Sequence, residues 1–339
     1  MTWFNLVPGP AVFILAAGMA LLLLLAMWID LRWGEPPAAI HPVVWMGRYL
    51  QVGGGLAVRC PPALAFVAGA VFWCLGALLV GALAWALQSL VFLQAMRYGL
   101  SLSFGNWVVF ALGILLASWL LKSMLSWRML RDEVGAVETA LQHSLDAGRE
   151  RLSMLVSRDT SALSASEVRE SAIESQAENL NDSVVAPIFW FVLFGLPGAA
   201  VYRFANTADA MWGYRGVRKG VNWEWAGKWA ARADDVLSWL PARLTALLLA
   251  LACGGLRLQT IRLEARKTPS PNSGWPMAAM ALALNVRLCK PGVYALNAAG
   301  RPPEAPDTVL AQKYASKAVL AAVLCAQLAI IFIAIAVFP

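Results

Sequence analysis

Long apolar runs alternate with polar stretches along this chain, and they predict helices that cross a membrane. Residues 11–29 (AVFILAAGMALLLLLAMWI) carry no charge, and as a helix of about 1.5 Å rise per residue they extend about 28 Å, enough to cross a bilayer. Similar runs occupy residues 63–93, 105–121 and 318–338. We therefore expect an all-α, polytopic integral membrane protein with about four full transmembrane helices.

Two further apolar runs, residues 184–201 and 240–256, are broken or short. Pro187, Pro197 and Gly198 interrupt the first run, and the second lies at or below the roughly 17-residue minimum for a span. If both crossed fully, the basic segment 202–239 would lie outside, against the tendency of basic loops to stay in the cytoplasm. We therefore expect two partial or re-entrant segments, with both chain ends outside.

Polar positions concentrate in four regions, which we expect to form the catalytic, cytoplasmic part of a single membrane-embedded domain over residues 1–339. These regions are 30–50, 157–183, 202–243 and 268–290. Gly34, Pro36, Pro37 and Pro42 exclude a continuous helix in the first of them. The glycine triple Gly53–Gly55 is not a dinucleotide-binding fingerprint, and we expect it to form a flexible turn.

The region before residue 183 carries a periodic row of acidic side chains. Acidic residues recur every four positions at Glu170, Glu174, Glu178 and Asp182. Such spacing places neighbours one helical turn apart, where like charges repel. Ser164 and Glu167 have the spacing of a capping box, which predicts the start of this helix. A metal, an arginine cluster or a substrate ammonium group is expected to answer the row; the alternative is a solvated acidic face.

Composition agrees with a membrane protein and excludes several other classes. Of the 339 residues, 60% are hydrophobic and 14% charged, and the mean hydropathy is +0.62. The net charge of +7 is dispersed along the chain, which argues against nucleic-acid binding. The five cysteines form no C-x-x-C pair, so the sequence predicts neither a disulfide framework nor a zinc site. No Lys or Arg precedes the first apolar run, so we expect a retained helix rather than a signal peptide.

Six polar strings together resemble the adenosylcobinamide-phosphate synthase family of cobalamin biosynthesis (CobD/CbiB). The strings, in order, are D-x3-GEPP…HPV-x-WMG, SRDTS, ES-x-AEN-x2-D-x-VVAP, ANTADAMWGY, R-x-DDVLSWLPARL and SPNSGWPMAAMA. They cover most of the chain, from about residue 30 to residue 287. The sequence departs from the family at Leu180 and Asn181, where Thr-Val is usual, and at Ala208, where Leu is usual.

The resemblance implies an ATP-dependent acid–amine ligase of the cytoplasmic (inner) membrane. Family members join adenosylcobyric acid, a corrinoid, to aminopropanol phosphate or a related amino alcohol through an amide bond. Expected partners are these substrates, the lipid bilayer and other enzymes of the cobalamin pathway, with no nucleic acid. The chain lacks the G-x4-G-K-[ST] phosphate loop, so the use of ATP rests on the resemblance alone.

The chemistry of such a ligase selects candidate residues within the strings. An amine attacks a carboxyl group only after activation, most simply as an acyl phosphate, and Mg²⁺ on the ATP phosphates is held by one or two carboxylates. Expected metal ligands are Asp234 and Asp235, with Glu178 and Asp182 as an alternative pair. Expected catalytic residues are Arg158, Asp159, Glu174, Glu178 and Asp182. Expected substrate-binding residues are His41, Asn179, Asn206, Asp209, Tyr214, Arg215, Arg243 and Asn272.

Structural roles remain open for several of these residues, and so do two other functions. Asp234 and Asp235 also suit a salt-bridged helix start, Asn272 suits a turn, and some arginines suit lipid headgroups. Broken apolar helices are also typical of transporters, although the chain shows no internal repeat. A non-catalytic membrane sensor on the same scaffold is the other alternative, and it would not need the acidic and arginine clusters.

Overall fold

The computed structural model describes residues 11–98 and 104–337, and most of them are helical. The part of the link 94–104 at residues 99–103 lies outside the described residues. The first helices are α1 (Ala11–Trp33), α2 (Pro42–Ala57), α3 (Pro62–Tyr98), α4 (Phe104–Ser123), α5 (Trp127–His143), α6 (Leu145–Ser153) and α7 (Ala165–Leu180). A π-helix (Asn181–Val185) then leads into α8 (Ala186–Trp212). The later helices are α9 (Lys228–Leu237), α10 (Trp239–Ala252), α11 (Leu258–Ala265), α12 (Gly274–Leu284) and α13 (Ala305–Val337).

The all-α prediction is confirmed, because the described residues contain strands only in two short antiparallel hairpins. The first hairpin pairs β1 (Val217–Arg218) with β2 (Val221–Asn222). The second pairs β3 (Leu288–Lys290) with β4 (Tyr294–Leu296).

Several helical stretches are long and apolar enough to cross a bilayer, as expected of a multi-pass membrane protein. Within the described residues they are Val12–Trp33, Pro62–Gln94, Val108–His143, Ala165–Trp212 and Ala305–Ala336. The helices α9 and α10, separated by a break, pass the same test together and raise the number from five to as many as six. The division into four full and two partial crossings stays a prediction.

Contacts between residues divide the chain into two compact units. The first unit consists of Met1–Ser126, Ala186–Leu237 and Val323–Pro339. The second consists of Trp127–Val185 and Ser238–Ala322. Each unit therefore combines segments that are distant in sequence. That the units fold as one domain, as the sequence suggested, stays a prediction.

In the first unit, α3 packs against α2, α8 and α9, while α1 packs against α4. Helix α8 is broken at Gly195, whose φ of 66° and ψ of −155° suit glycine alone. The break frees the backbone N–H of Leu196, which donates to the side-chain oxygen of the buried Gln88 at 2.7 Å. A buried side chain on α3 thus satisfies the interrupted backbone near Pro197.

The expected turn at Gly53–Gly55 is wrong, because these glycines lie inside α2. A side chain at Gly54 would overlap the indole nitrogen of Trp212. The same indole N–H donates to the backbone carbonyl of Leu50 at 3.1 Å. Gly54 therefore allows close approach of a large aromatic ring rather than a change of chain direction.

Helix α7 lies at the centre of the second unit, where it packs against α5, α6, α12 and β3. Its predicted capping box is present: the Ser164 hydroxyl accepts from the N–H of Glu167, and the Glu167 carboxylate accepts from the N–H of Ser164. Most of the helix is buried, including Glu170 and Glu174. The acidic row is therefore not a solvated face at these two positions.

Candidate active site

One carboxylate oxygen of Glu174 accepts hydrogen bonds from two donors, and the other oxygen has no partner in the described residues. Its Oε1 accepts from the guanidinium of Arg158 at 3.1 Å and from the hydroxyl of Tyr294 at 2.7 Å. Its Oε2 is buried and has no hydrogen-bond partner among the described residues. The side chain is thus fixed in orientation while it keeps one acceptor for a further group.

Glu170, one turn earlier, has a different set of donors. Its Oε1 accepts from Arg287 at 3.2 Å, and its Oε2 accepts from the backbone N–H of Cys289 at 2.8 Å. Arg287 and Cys289 belong to the segment that enters the second hairpin. The sequence left a metal, an arginine cluster or a substrate ammonium group as the cation for the acidic row. In the structure, arginines form the ion pairs with Glu170 and Glu174.

Tyr294 and the acidic row affect each other electrostatically. Burial raises the pKa of the Tyr294 hydroxyl well above its usual range, and the negative charges of Glu174 and Glu178 raise this pKa further. The hydroxyl therefore stays protonated and donates to Glu174 at neutral pH. This also shows that Glu178 lies within electrostatic range of the same cluster, which we call the α7 cluster: Arg158, Glu170, Glu174, Glu178, Arg287 and Tyr294.

The row continues past Glu178 into the π-helix. The amide of Asn179 donates to the carbonyl of Ser175 at 2.9 Å, so this predicted substrate residue is tied to its own helix. Asp182 accepts from the amide of Asn181 at 2.8 Å, and the hydroxyl of Thr245 donates to the oxygen of that amide at 3.1 Å. Asn181, one of the departures from the family pattern, therefore positions a predicted catalytic carboxylate. Single π-turns often occur at functional sites.

Asp159 is exposed and takes part in a local turn. Its carboxylate accepts from the backbone N–H of Ser161 at 2.9 Å. This hydrogen bond, together with one from the Ser161 side chain, lowers the pKa of Asp159 below its usual value. The structure therefore gives Asp159 a turn-forming contact and gives the neighbouring Arg158 the contact with Glu174.

Arg243 and Asn272, both predicted to bind substrate, contact each other. The guanidinium of Arg243 donates to the side-chain oxygen of Asn272 at 2.8 Å and to the carbonyl of Pro271 at 3.1 Å. Asn272 also shapes its turn, since its backbone N–H donates to the hydroxyl of Ser270 at 3.2 Å. The substrate-binding and turn-forming interpretations of Asn272 are therefore compatible.

The remaining predicted residues of the 202–243 region lie in the first unit. The amide of Asn206 donates weakly to Asp234 at 3.4 Å. Tyr214, Arg215 and Asp235 line a cavity of about 360 Å³ with Glu224, Lys228 and Arg232. Asp209 lies against Gly213, because a side chain at Gly213 would overlap the Asp209 carboxylate. Asn206 and Asp209 are on α8, and Asp234 and Asp235 are on α9, which packs against it.

The two adjacent aspartates have different surroundings, as their angular separation on a helix requires. Asp234 contacts Asn206, whereas Asp235 lines the cavity beside Arg215 and Arg232. The described residues contain no group of three or more His, Cys, Asp or Glu side chains suited to a metal. One or two carboxylates suffice for Mg²⁺ when phosphates supply other oxygens. The oxygen ligands of Asp235 and Glu224 fit that limited requirement.

His41 belongs to a partly buried ion-pair network in the first unit, which the sequence analysis did not predict. Its Nδ1 accepts from the N–H of Val43 at 3.2 Å and caps α2, while its Nε2 lies 3.0 Å from Glu35. The ammonium of Lys122 lies 2.7 Å from Glu35 and 3.4 Å from Asp30. Burial alone would raise the pKa of Glu35, but the hydrogen bonds from His41 and Lys122 outweigh it and lower the pKa.

A second missed ion pair lies on α7 itself. The guanidinium of Arg169 forms two parallel hydrogen bonds of 2.8 Å with the carboxylate of Glu138. The hydroxyl of Thr308 donates to the same carboxylate at 3.1 Å. Glu138 is buried next to Val137 on α5, and no sequence pattern indicated a buried carboxylate there.

The comparisons with known proteins agree with these motifs. The sequence profile of the family described as CobD/Cbib protein matches residues 23–325. The chain belongs to the CobD/CbiB family. No solved structure matches the chain significantly.

Three relatives illustrate how closely the CobD/CbiB family matches this chain. The probable cobalamin biosynthesis protein CobD of Thermococcus kodakarensis is 44% identical over 80% of this chain and 83% of its own length. The protein of the same name from Pyrococcus furiosus is 40% identical over 87% of this chain and 93% of its own length. That of Methanothrix thermoacetophila is 36% identical over 91% and 96%. The family resemblance is confirmed, and the chain is a membrane protein of cobalamin biosynthesis.

Proposed function

We propose that this protein forms the amide bond between adenosylcobyric acid and aminopropanol phosphate, or a related amino alcohol, at the expense of ATP. The product is adenosylcobinamide phosphate. The family membership supports the pathway, and the resemblance of the six strings implies the reaction. The observation that carries the proposal is the carboxylate of Glu174, which is fixed by Arg158 and Tyr294 on one oxygen and open on the other.

The reaction requires that a carboxylate be activated before the amine attacks. The terminal phosphoryl group of ATP passes to a carboxylate oxygen of the corrinoid, which gives an acyl phosphate and ADP. The amine nitrogen then attacks the carbonyl carbon, the carbon–oxygen bond to phosphate breaks, and phosphate leaves. The amine starts as an ammonium ion and must lose its protons during these steps.

In this scheme the acidic row of α7 binds the ammonium group and accepts its proton. The open Oε2 of Glu174 provides an acceptor, and Glu178 adds negative charge beside it. Arg158 holds Glu174 in place and supplies positive charge at the cluster. Asp182, half-buried in the π-helix, extends the acidic row by one turn. The carboxylates therefore act on the ammonium group of the amine substrate.

When bound, Mg²⁺ would neutralise the charge of the ATP phosphates during phosphoryl transfer. Asp235 is the first candidate to hold it, with Glu224 beside it in the same cavity and Arg215 available to the phosphates. Glu178 and Asp182 remain the alternative pair. Asn206, Asp209 and Tyr214 are proposed to bind substrate from the same part of the first unit.

The reaction is tested by incubating the purified, folded protein with adenosylcobyric acid, aminopropanol phosphate and Mg-ATP, with product mass as the readout. We expect adenosylcobinamide phosphate, and we expect none when ATP or Mg²⁺ is omitted. Glu174→Gln keeps the size of the side chain and serves as the matched inactive control. If the folded protein forms no product across varied amines and metals, the proposed reaction is wrong.

We further propose that the active face lies on the cytoplasmic side of the inner membrane, where ATP is available. Single cysteines at Ser144, Gly220 and Ser273, in a background without native cysteines, test this arrangement. Ser101, outside the described residues, serves as the control for the outer side. An impermeant maleimide applied to intact cells is expected to label only position 101. Labelling at position 220 would contradict a cytoplasmic location of residues 202–239.

A further inference from the structure

A basic cavity of about 590 Å³ lies in the second unit, between α10 and α11 and the loop before α12. Its charged lining residues are Arg243, Arg262 and Arg266, and Asp and Glu are absent from that lining. The indole rings of Trp239 and Trp275 and the polar loop residues Thr268 and Ser270 complete the lining. The scheme above assigns Arg243 to substrate in general and gives no role to the other two arginines.

The positive charges of this cavity are not balanced by protein carboxylates. Arg262 lies on α11 and Arg266 is the C-cap residue of that helix, so the two like charges lie one turn apart and repel. In the described part of the chain, none of the three arginines forms an ion pair with Asp or Glu. Three guanidinium groups therefore give this cavity a net positive charge that an anion would neutralise.

Arg243 is held in place before any ligand arrives. Its guanidinium carbon lies 4.4 Å from the ring centre of Trp239 and 4.8 Å from that of Trp275. Three of its N–H donors reach the oxygens of Trp239, Asn272 and Pro271. An arginine has five such donors, so two remain without a protein acceptor in the described residues. This preorganisation lowers the entropic cost of binding an anion.

The composition of the cavity selects the kind of anion. Arginine forks match the geometry of phosphate oxygens, and the volume suits a small organic ligand. A nucleoside triphosphate carries Mg²⁺, which needs carboxylate ligands that this cavity lacks. We propose that the Arg243–Arg262–Arg266 cavity binds the phosphate of a small phosphate monoester without a divalent metal. The identity of the ester rests on the proposed function: if that function holds, the ester is the phosphorylated amino alcohol and not ATP.

A phospholipid is the competing occupant, because an apolar groove adjoins the cavity. Leu240, Leu244, Leu247 and Leu258 line this groove, which shares Arg243, Arg262 and Trp275 with the cavity. The polar loop of Thr268, Ser270 and Pro271 lines the cavity and not the groove, and it favours a compact polar ligand. The experiment must therefore separate a soluble ester from a lipid headgroup.

Calorimetric titration of the full-length protein in phosphatidylcholine nanodiscs with EDTA tests the proposal without turnover. Aminopropanol phosphate is the probe, and unphosphorylated aminopropanol is the control ligand. We expect the ester to bind and the unphosphorylated amine to bind far more weakly. Arg262→Gln and Arg266→Gln should each weaken binding of the ester about tenfold or more, as expected for loss of a charge-assisted hydrogen bond. Both residues are exposed, so these variants should fold.

Arg257→Gln is the matched control, because it removes one exposed positive charge at the start of α11 from a residue that does not line the cavity. Equal loss of affinity in this variant would overturn the proposal, because the loss would then follow from the net charge of the protein and not from the cavity. Unchanged affinity in Arg262→Gln and Arg266→Gln would overturn it as well. Binding of the ester that requires Mg²⁺ would also overturn the proposal. So would a protein that is stabilised by phosphatidylglycerol in the nanodisc but not by the ester.

Kinetics then separates this proposal from the proposed reaction. Arg266→Gln should raise the KM for aminopropanol phosphate and leave the KM for ATP unchanged. Arginine-dependent binding of the ester without any product would contradict the reaction and leave the phosphate site intact. Product formation with an unchanged KM for the ester would contradict the phosphate site and leave the reaction intact.

Discussion

Two groups of paired carboxylates in this protein are compensated in different ways. In the first unit, Asp30 and Glu35 share Lys122, whose side chain is 0% exposed. In the α7 cluster, Glu174 is paired with Arg158, whose side chain is 20% exposed, and Glu170 with Arg287, which is 37% exposed. The cation of the first network is fully buried, whereas the arginines of the α7 cluster are partly exposed to solvent.

This contrast indicates different roles. A fully buried ion pair gains little net stability, but removal of one partner leaves an uncompensated charge. The Lys122 network therefore makes the first unit dependent on each of its members. The α7 cluster also has buried carboxylates, but its arginines are partly exposed, and Glu174 keeps one oxygen without a hydrogen-bond partner in the described residues. Binding of a cationic group requires such an oxygen.

The largest effect is expected in the α7 cluster. Glu178→Gln or Asp182→Asn should reduce turnover by about 10²- to 10⁴-fold, the usual contribution of a positioned acid or base. The protein should still insert and fold, which gel filtration in detergent would show. Glu167→Gln, which removes a charge from the capping box of the same helix, is the control and should leave turnover nearly intact. Near-normal rates in both variants would favour the alternative that Glu178 and Asp182 belong to a solvated acidic face.

The next effect concerns the Lys122 network. Lys122→Met should destabilise the protein by about 3–5 kcal/mol, because it leaves Asp30 and Glu35 without their cation. Thermal unfolding in detergent measures this change. Adding Asp30→Asn and Glu35→Gln to the same variant should recover much of the loss. If the triple variant is no more stable than the single one, the ion pairs are not what the first unit depends on.

Asp235 tests whether the first unit also takes part in chemistry. Asp235→Asn keeps the shape of the side chain but removes the charge that a metal ligand needs. We expect the Mg²⁺ concentration for half-maximal activity to rise about tenfold, equivalent to about 1.4 kcal/mol. Asp132→Asn, an exposed carboxylate on α5, is the control. An unchanged metal titration would favour a structural role for Asp235 beside Arg232 and Arg215.

The smallest expected effect is a difference in pH dependence between the two groups. The pKa of Glu35 is lowered from its ordinary 4.5, so its stabilising contribution is complete above pH 4.5 and is lost as the pH falls through the lower, folded-state value. The pKa of Tyr294 is raised above its ordinary 10.0, so its contribution is complete below pH 10.0 and is lost at more alkaline pH.

Unfolding midpoints measured across pH test this difference. Glu35→Gln should flatten the acid limb of the stability curve and leave the alkaline limb unchanged. Tyr294→Phe should do the reverse. Equal changes of both limbs in either variant would contradict the separate roles that we assign to the two groups.

Much of the fold follows from local features of the sequence. The apolar runs predicted the long helices, and the capping box at Ser164 and Glu167 predicted the start of α7. The prolines and Gly34 predicted the break between α1 and α2. His41 is extended, with a φ of −77° and a ψ of 117°, as is usual for a residue before proline. Each of these features depends on a few neighbouring residues, so no knowledge of distant contacts was needed.

The partners of the site residues did not follow from the sequence. The four-residue spacing indicated that the acidic row needs a cation, but Arg158, Arg287 and Tyr294 reach it from separate segments of the chain. Gly53–Gly55 has the composition of a turn, and only the packed structure shows that these glycines lie in α2, with Gly54 against the ring of Trp212.

The sequence by itself determined the fold class, the family and the positions of the acidic row, since these depend on periodicity, composition and short strings. The tertiary structure decided which carboxylates are buried and paired, which carboxylate oxygens lack a hydrogen-bond partner, and which arginines have no carboxylate partner. The physical reason is that burial and pairing of charge depend on contacts between distant segments, such as Lys122 with Asp30 or Arg243 with Asn272. The local sequence pattern predicts the position of a residue on its own helix. Its contacts with other segments are known only from the packed structure.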